Sequence, residues 1–178
     1  VRAAARRSGL QRRDGLFPLW QKDDKVWLEI AEADLNQPYL LSPKVKTGIG
    51  ENYFFGGLMG FDDGIVEFRR VHNQIQLLWR NTEFVAKPGS PEAFAVEAAF
   101  SPSLVASTAV LSQSHPERKT ILVEANALFV ADLTATAAQL QRSYRQGYVF
   151  DARNSAITAL RNAPESTTIE VLSHFATA

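Results

Sequence analysis

Two stretches in which apolar and polar residues alternate, each broken by a short polar turn, commit this chain to antiparallel sheet. The first runs from Gly15 to Ile30 and turns at Lys22-Asp23-Asp24-Lys25; the second pairs Ile65–Val71 with Ile75–Arg80 across His72-Asn73-Gln74. A period of two places successive side chains on opposite faces, so each hairpin has one face for a core and one for water. In the second hairpin Ile75, Leu77 and Trp79 form the core face, with Gln76 and Arg80 opposite.

Further along, Glu32–Gln37 is a short polar connection ended by Pro38, and Tyr39–Leu41 and Lys44–Lys46 can be extended. The span 47–64 carries six glycines together with Tyr53, Phe54, Phe55 and Phe61, and reads as a loop pressed onto the body by its rings. Ser90-Pro91-Glu92 supplies a cap, a first-turn proline and an early acid, so 90–100 is expected to be helical. Leu104–Leu111 reads as a buried strand paired across Ser114–Glu117 with Thr120–Glu124. A helical turn is expected over 127–131. A helix capped by Asp132 or Thr134 should then run to Arg145, with Ala137, Leu140 and Tyr144 on one stripe and Gly147 ending it. Tyr148–Phe150, Ala156–Leu160 and Thr167–Phe175 supply the last strands. The expected class is a β-rich α+β fold, antiparallel sheets with two short helices packed on one side.

A chain of 178 residues, 46% apolar and 21% charged, can bury a single core without metal or disulfide. There is no cysteine, hence no thiol nucleophile and no thiolate zinc site. The net charge is zero, yet Arg2, Arg6, Arg7, Arg12 and Arg13 face only Asp14 in the first fourteen residues. Residues 1–14 are therefore expected to be a basic, poorly ordered leader before a single domain over 15–178. Because no basic patch recurs in the body, no nucleic-acid partner is expected. No apolar run approaches the ~20 residues of a membrane span. The chain begins with Val, and an upstream segment is expected to have been removed.

Residues with catalytic potential are scattered. His72, His115 and His174 each stand alone, and His-Glu-x-x-His is absent. Asp23-Asp24 and Asp62-Asp63 have the character of turns rather than of an acid–base pair. Ser155, His174 and Asp151 could be assembled into a triad, but no Gly-x-Ser-x-Gly elbow presents the serine, and a polar tie is the expected role. Gly48-Ile49-Gly50 and Gly56-Gly57 lack the remainder of a phosphate-binding motif. The rings of Trp20, Trp27, Trp79 and Phe54-Phe55 could form a stacking platform, though at alternating positions they are expected in the core. No catalytic, cofactor-binding or metal-ligating residue is assigned.

The first hairpin, followed in order by Val66–Arg70, Phe100–Leu104, Ala127–Asp132 and Asp151–Ser155, resembles the domain of unknown function that precedes the catalytic module of bacterial gluzincin-type zinc-dependent metalloproteases. The similarity extends from Gly15 to the end of the chain, and departs at Ala163-Pro164, where such domains tend to have Phe-Pro. It implies a non-catalytic N-terminal accessory domain, partnered by a metallopeptidase module of the same polypeptide. Zinc would belong to that parent enzyme, and the implied location is periplasmic or extracellular. The competing expectations are a free-standing envelope β-module that binds a peptide, glycan or protein through an aromatic face, and a self-contained hydrolase using carboxylates.

Overall fold

The computed structural model describes residues 9–48, 57, 59–60 and 63–177. The β-rich α+β class holds. Strands β1 (Gln11–Arg13), β2 (Leu19–Lys22) and β3 (Lys25–Ala31) are followed by a 3-10 turn (Glu32–Asp34), then β4 (Tyr39–Leu41), β5 (Lys44–Val45), β6 (Met59–Gly60), β7 (Gly64–Val71) and β8 (Gln74–Trp79). Helix α1 (Pro91–Ala99) leads into β9 (Ser103–Ala109) and β10 (Thr120–Glu124). Helices α2 (Ala125–Phe129) and α3 (Thr136–Tyr144) precede β11 (Tyr148–Phe150), β12 (Ala156–Ala163), β13 (Ser166–Leu172) and β14 (Phe175–Thr177).

Two four-stranded antiparallel sheets share one core: sheet A in the order β1-β2-β3-β10 and sheet B in the order β4-β7-β8-β9. Alternation sends Leu19, Val26, Leu28, Ile30, Ile121 and Val123 inward from sheet A, and Val66, Phe68, Ile75 and Leu77 inward from sheet B. Phe17 packs edge-on against Phe68 and Tyr39 between them. Burial, with the Asp34 carboxylate that accepts its O–H, pushes the Tyr39 phenol up to about 12. Both hairpins turn on two residues, Asp23-Asp24 and His72-Asn73, and the first of each is left-handed. Gln74 accordingly belongs to β8 and not to the turn. Trp79 is half-buried against the core and lies over Gly64, where a Cβ would fall inside its ring.

Several local readings are corrected. Gln11–Arg13, placed with the leader, form the edge strand of sheet A; residues 1–8 lie outside the described part, as do Tyr53, Phe54, Phe55 and Phe61 of the aromatic loop. Strand β9 is largely unburied and is no hairpin partner of β10: it pairs with β8 and leaves Leu104 exposed, and the expected pairing with β10 is present only beyond its end, at the Val110–Val123 bridge and the Leu111 N–H to Leu122 carbonyl bond. A hairpin assignment rested on sequence proximity, whereas this chain crosses from sheet B to sheet A at that point. The last strand breaks at Ser173-His174, so that β13 pairs with β12 while β14 pairs with β11. Arg145, not Gly147, takes the left-handed position that ends α3.

The helix signals did hold elsewhere. Ser90 Oγ accepts from the Ala93 N–H, and the Asp132 carboxylate accepts from Thr136 and Ala137 N–H. Leu140 is buried and Tyr144 exposed. Helix α1 buries none of its side chains. Gly64→Ala is expected to cost about 1–3 kcal/mol in urea denaturation, as overpacking does. The loss should shrink in a Trp79→Ala background, a coupling that a double-mutant cycle measures.

Candidate functional site

Among the described residues each sheet buries one glutamate on its outer face, away from the shared core, and these two positions organise the polar surface. Glu29 lies between Leu28 and Ile30 on β3, so the strand period that buries them turns it to the opposite side. It is nevertheless 1% exposed. Trp20 Nε1–H donates to Oε2 at 2.8 Å, Arg118 Nε–H and the Thr120 hydroxyl donate to Oε1 at 2.7 and 2.8 Å, and Arg12 Nε stands 3.8 Å from Oε2. The Arg12 guanidinium also covers the Trp20 ring, 5.5 Å from its centroid. Burial pushes the Glu29 carboxyl up, but the bonds from Trp20, Thr120 and Arg118 and the charge of Arg118 together outweigh it and hold the group below its ordinary value. A carboxylate so held stays ionised and is unsuited to general acid work near neutral pH.

The roof of this cluster is the crossover between β9 and β10, which contributes Ser112, Gln113, Ser114, His115 and Arg118 to a shallow concavity of about 290 Å³. His115 has a turn-forming role here, because its Nδ1 accepts from the N–H groups of Glu117 and Arg118 at 3.2 Å. That places Arg118 over the glutamate. Asn126 of α2 fastens the neighbouring hairpin, accepting from Val26 N–H and donating to the Asp24 carbonyl.

On sheet B, Glu67 lies between the inward Val66 and Phe68 and is also buried. Arg69 donates to its Oε1 at 2.6 Å, and Arg80 Nε lies 3.6 Å from Oε2. A groove of about 320 Å³ runs beside this cluster, walled by Phe84, Val96, Glu97, Phe100 and Pro102. Phe84 and Phe100 are stacked, with centroids 4.0 Å apart and planes 9° from parallel. Both rings are partly exposed.

Other residues with catalytic potential are placed as follows. Asp151, Ser155 and His174 do come together, but through the main chain: Ser155 Oγ donates to the Asp151 carbonyl at 2.7 Å and accepts from the His174 N–H at 2.9 Å. Ser155 is buried, and its hydroxyl donates to a main-chain carbonyl. The Asn154 amide leads the contacts that hold the Asp151 carboxyl below its usual range, alongside the Arg153 and Asn154 N–H groups. The three residues thus form a polar tie across the turn between β11 and β12. His72 sits in an exposed turn, Asp23 and Asp24 in another. Asp63 binds Lys44 and Ser42, while Asp62 lies outside the described residues, as do Ile49, Gly50 and Gly56. Trp20 is buried, Trp27 and Trp79 half-buried. Among the described residues no group of three or more His, Asp or Glu side chains is arranged to hold a metal ion, and no helix is long and apolar enough to cross a membrane.

Residues 59–177 match the family model for a domain of unknown function, DUF5117. The chain belongs to the DUF5117 family. No curated protein and no solved structure matches it. The DUF5117 match begins at β6, so β1, β2 and β3, three of the four strands of sheet A, precede the matched segment. Glu29 lies in the unmatched part and its partners Arg118 and Thr120 in the matched part.

Sequence reasoning missed both glutamates and the Phe84–Phe100 stack. A usable signal existed for the glutamates, since a lone acid within a run of large apolar residues on a strand asks for a partner. Glu29→Gln should destabilise the domain by about 3 kcal/mol at neutral pH, because the arginines and the indole lose their counter-charge. The folded value of Glu29 lies below 4.5, so its contribution is fully present above that pH and is lost as pH falls through the folded value. Urea denaturation at neutral pH and at about pH 3 should show native and Glu29→Gln stabilities converging in acid.

Proposed function

We propose that this DUF5117 domain is a non-catalytic accessory domain of a bacterial zinc metallopeptidase, packing against and shaping a catalytic module encoded outside the 178 residues. One observation carries this reading: Glu29, the most deeply buried ionisable group among the described residues, is ionised and engaged by Trp20, Thr120 and Arg118 in holding the crossover to sheet A. The same holds for Ser155 and His115, whose polar atoms close turns. The DUF5117 match over residues 59–177 supports the domain-of-unknown-function part of the reading; the peptidase partner and a periplasmic or extracellular location rest on the resemblance alone. Zinc would be held by the His-Glu-x-x-His helix of the catalytic module.

The test uses the complete reading frame that contains this segment. A His-Glu-x-x-His motif downstream, zinc bound by the whole protein, and peptide hydrolysis abolished by Glu→Gln in that motif are the expected results. The 178-residue chain, dialysed against zinc-containing buffer and then against metal-free buffer, should retain no stoichiometric zinc in elemental analysis. One ion per chain, or hydrolysis by the chain alone that survives a chelator, would overturn the proposal.

The exposed Phe84–Phe100 stack favours one element of the competing reading, a module that binds through an aromatic face. That face is not the platform of Trp20, Trp27, Trp79 and Phe54-Phe55 weighed from the sequence, whose rings are expected in the core.

A further inference from the structure

We propose that the groove between α1 and the outer face of sheet B binds the free carboxyl end of an apolar peptide segment. The two outer faces differ in how their charges are matched. Around Glu29 the carboxylate is closed over by hydrogen-bond donors, and Arg12 has a second partner in Asp14 at 3.0 Å. Around Glu67, Arg69 makes the one short ion pair at 2.6 Å, and Arg80 stands back at 3.6 Å with no hydrogen bond from its guanidinium among the described residues. One buried acid thus faces two half-exposed guanidiniums, and Arg80 presents N–H donors to the groove that Glu67 does not take up. A guanidinium fork of this kind suits a carboxylate held by two parallel bonds.

The apolar half of the groove adjoins that charge. Asn81 fixes the wall: its Oδ1 accepts from the Glu83 and Phe84 N–H groups and its Nδ2 donates to the Phe84 carbonyl. Phe84 is therefore held in place four residues from Arg80, with Phe100 stacked on it and Val96 and Pro102 continuing the apolar lining. A terminal leucine or phenylalanine carries its carboxylate and its apolar side chain on one carbon, which matches a guanidinium set beside a ring stack. Glu97 lines the α1 wall of the same groove, so its charged lining is two arginines against two glutamates, and the residues leading to the chain end should be neutral or basic. Preorganised walls lower the ordering cost of binding. The groove chemistry stands on its own; the supply of new carboxyl ends by peptide-bond cleavage rests on the peptidase reading above.

The experiment is fluorescence anisotropy of the 178-residue chain with fluorescein-Gly-Ala-Ala-Leu-Phe as the free acid and as the C-terminal amide. The acid is expected to bind and the amide to bind at least about tenfold more weakly, the scale of a charge-assisted contact. Arg80→Gln should erase that difference, and Phe84→Ala should weaken both forms. Equal binding of acid and amide, or no binding of either at millimolar protein, overturns the proposal without any variant having to fold. An amidated peptide ending in Asp that matches the free acid would assign the groove to acidic side chains. Self-association of the chain blocked by Phe84→Ala would assign it to a second copy. Either result also overturns the proposal. None of these outcomes depends on whether a peptidase module exists.

Discussion

The burial of one carboxylate on the outer face of sheet A is the constraint on which the two-sheet arrangement turns. An ionised group taken out of water costs several kcal/mol unless donors replace its hydration, and Glu29 finds them on three separate stretches of chain: Trp20 and Arg12 from the N-terminal strands, and Thr120 and Arg118 from the crossover. Each donor is located by something local. Arg118 is aimed by the turn that His115 caps, Thr120 begins β10, and Trp20 is the outward residue of β2 beside the inward Leu19. The glutamate thereby converts four weak local preferences into one arrangement of the crossover. A hydrophobic residue at position 29 could pack under Trp20 without specifying where the 112–118 segment must lie, since dispersion contacts are not directional.

What could be read in the sequence was what depends on near neighbours. The turns within Lys22–Lys25 and His72–Gln74, the inward faces of β3 and β8, and the Ser90 and Asp132 caps all rest on interactions between residues close in the chain. The misread elements depend on distant ones. Leu104–Leu111 looked like a buried strand because it is apolar, but its position at the edge of sheet B, beyond β8, leaves Leu104 and Leu111 to solvent. The run through 167–175 looked continuous because Ser173 and His174 are tolerated in strands; the break is imposed by Ser155, whose hydroxyl takes the His174 N–H. Glu29 and Arg118 are separated by 89 residues, and no periodicity reports such a pairing.

The triad-like set illustrates the limit of residue types as evidence. Asp151, Ser155 and His174 lie together in space, as a search for nucleophiles would hope, yet the serine proton goes to a carbonyl and the histidine contributes its backbone. Geometry at the level of individual atoms separates a nucleophile from a tie, because activation needs the imidazole nitrogen at the serine oxygen. The comparison with Glu67 is similar in kind. Both glutamates meet two arginines, but at Glu29 further donors fill the remaining acceptor sites, whereas at Glu67 the second arginine stays at ion-pair distance and half in solvent. One cluster is closed and structural; the other leaves directional capacity unused.

The boundary of the DUF5117 match cuts across this architecture in a physically informative way. A segment beginning at β6 holds β10 but none of the other strands of sheet A, so Ile121 and Val123 would lack Ile30 and Leu28, the residues paired with them across the ladder. Arg118 and Thr120 would likewise have no carboxylate to bind. The matched residues alone thus leave sheet A without β1, β2 and β3, whose inward side chains fill one side of the core. Phe17 makes the same point from the other side: its ring meets Phe68 of the matched segment and Tyr39 of the unmatched one, and its N–H lies 3.4 Å from Thr167 Oγ1. Asn162 completes the join by donating to the carbonyls of Arg13 and Phe17, in a space so close to Gly15 that a side chain there would displace it. The N-terminal hairpin and the matched segment are accordingly joined twice, at sheet A and at the β12–β13 hairpin.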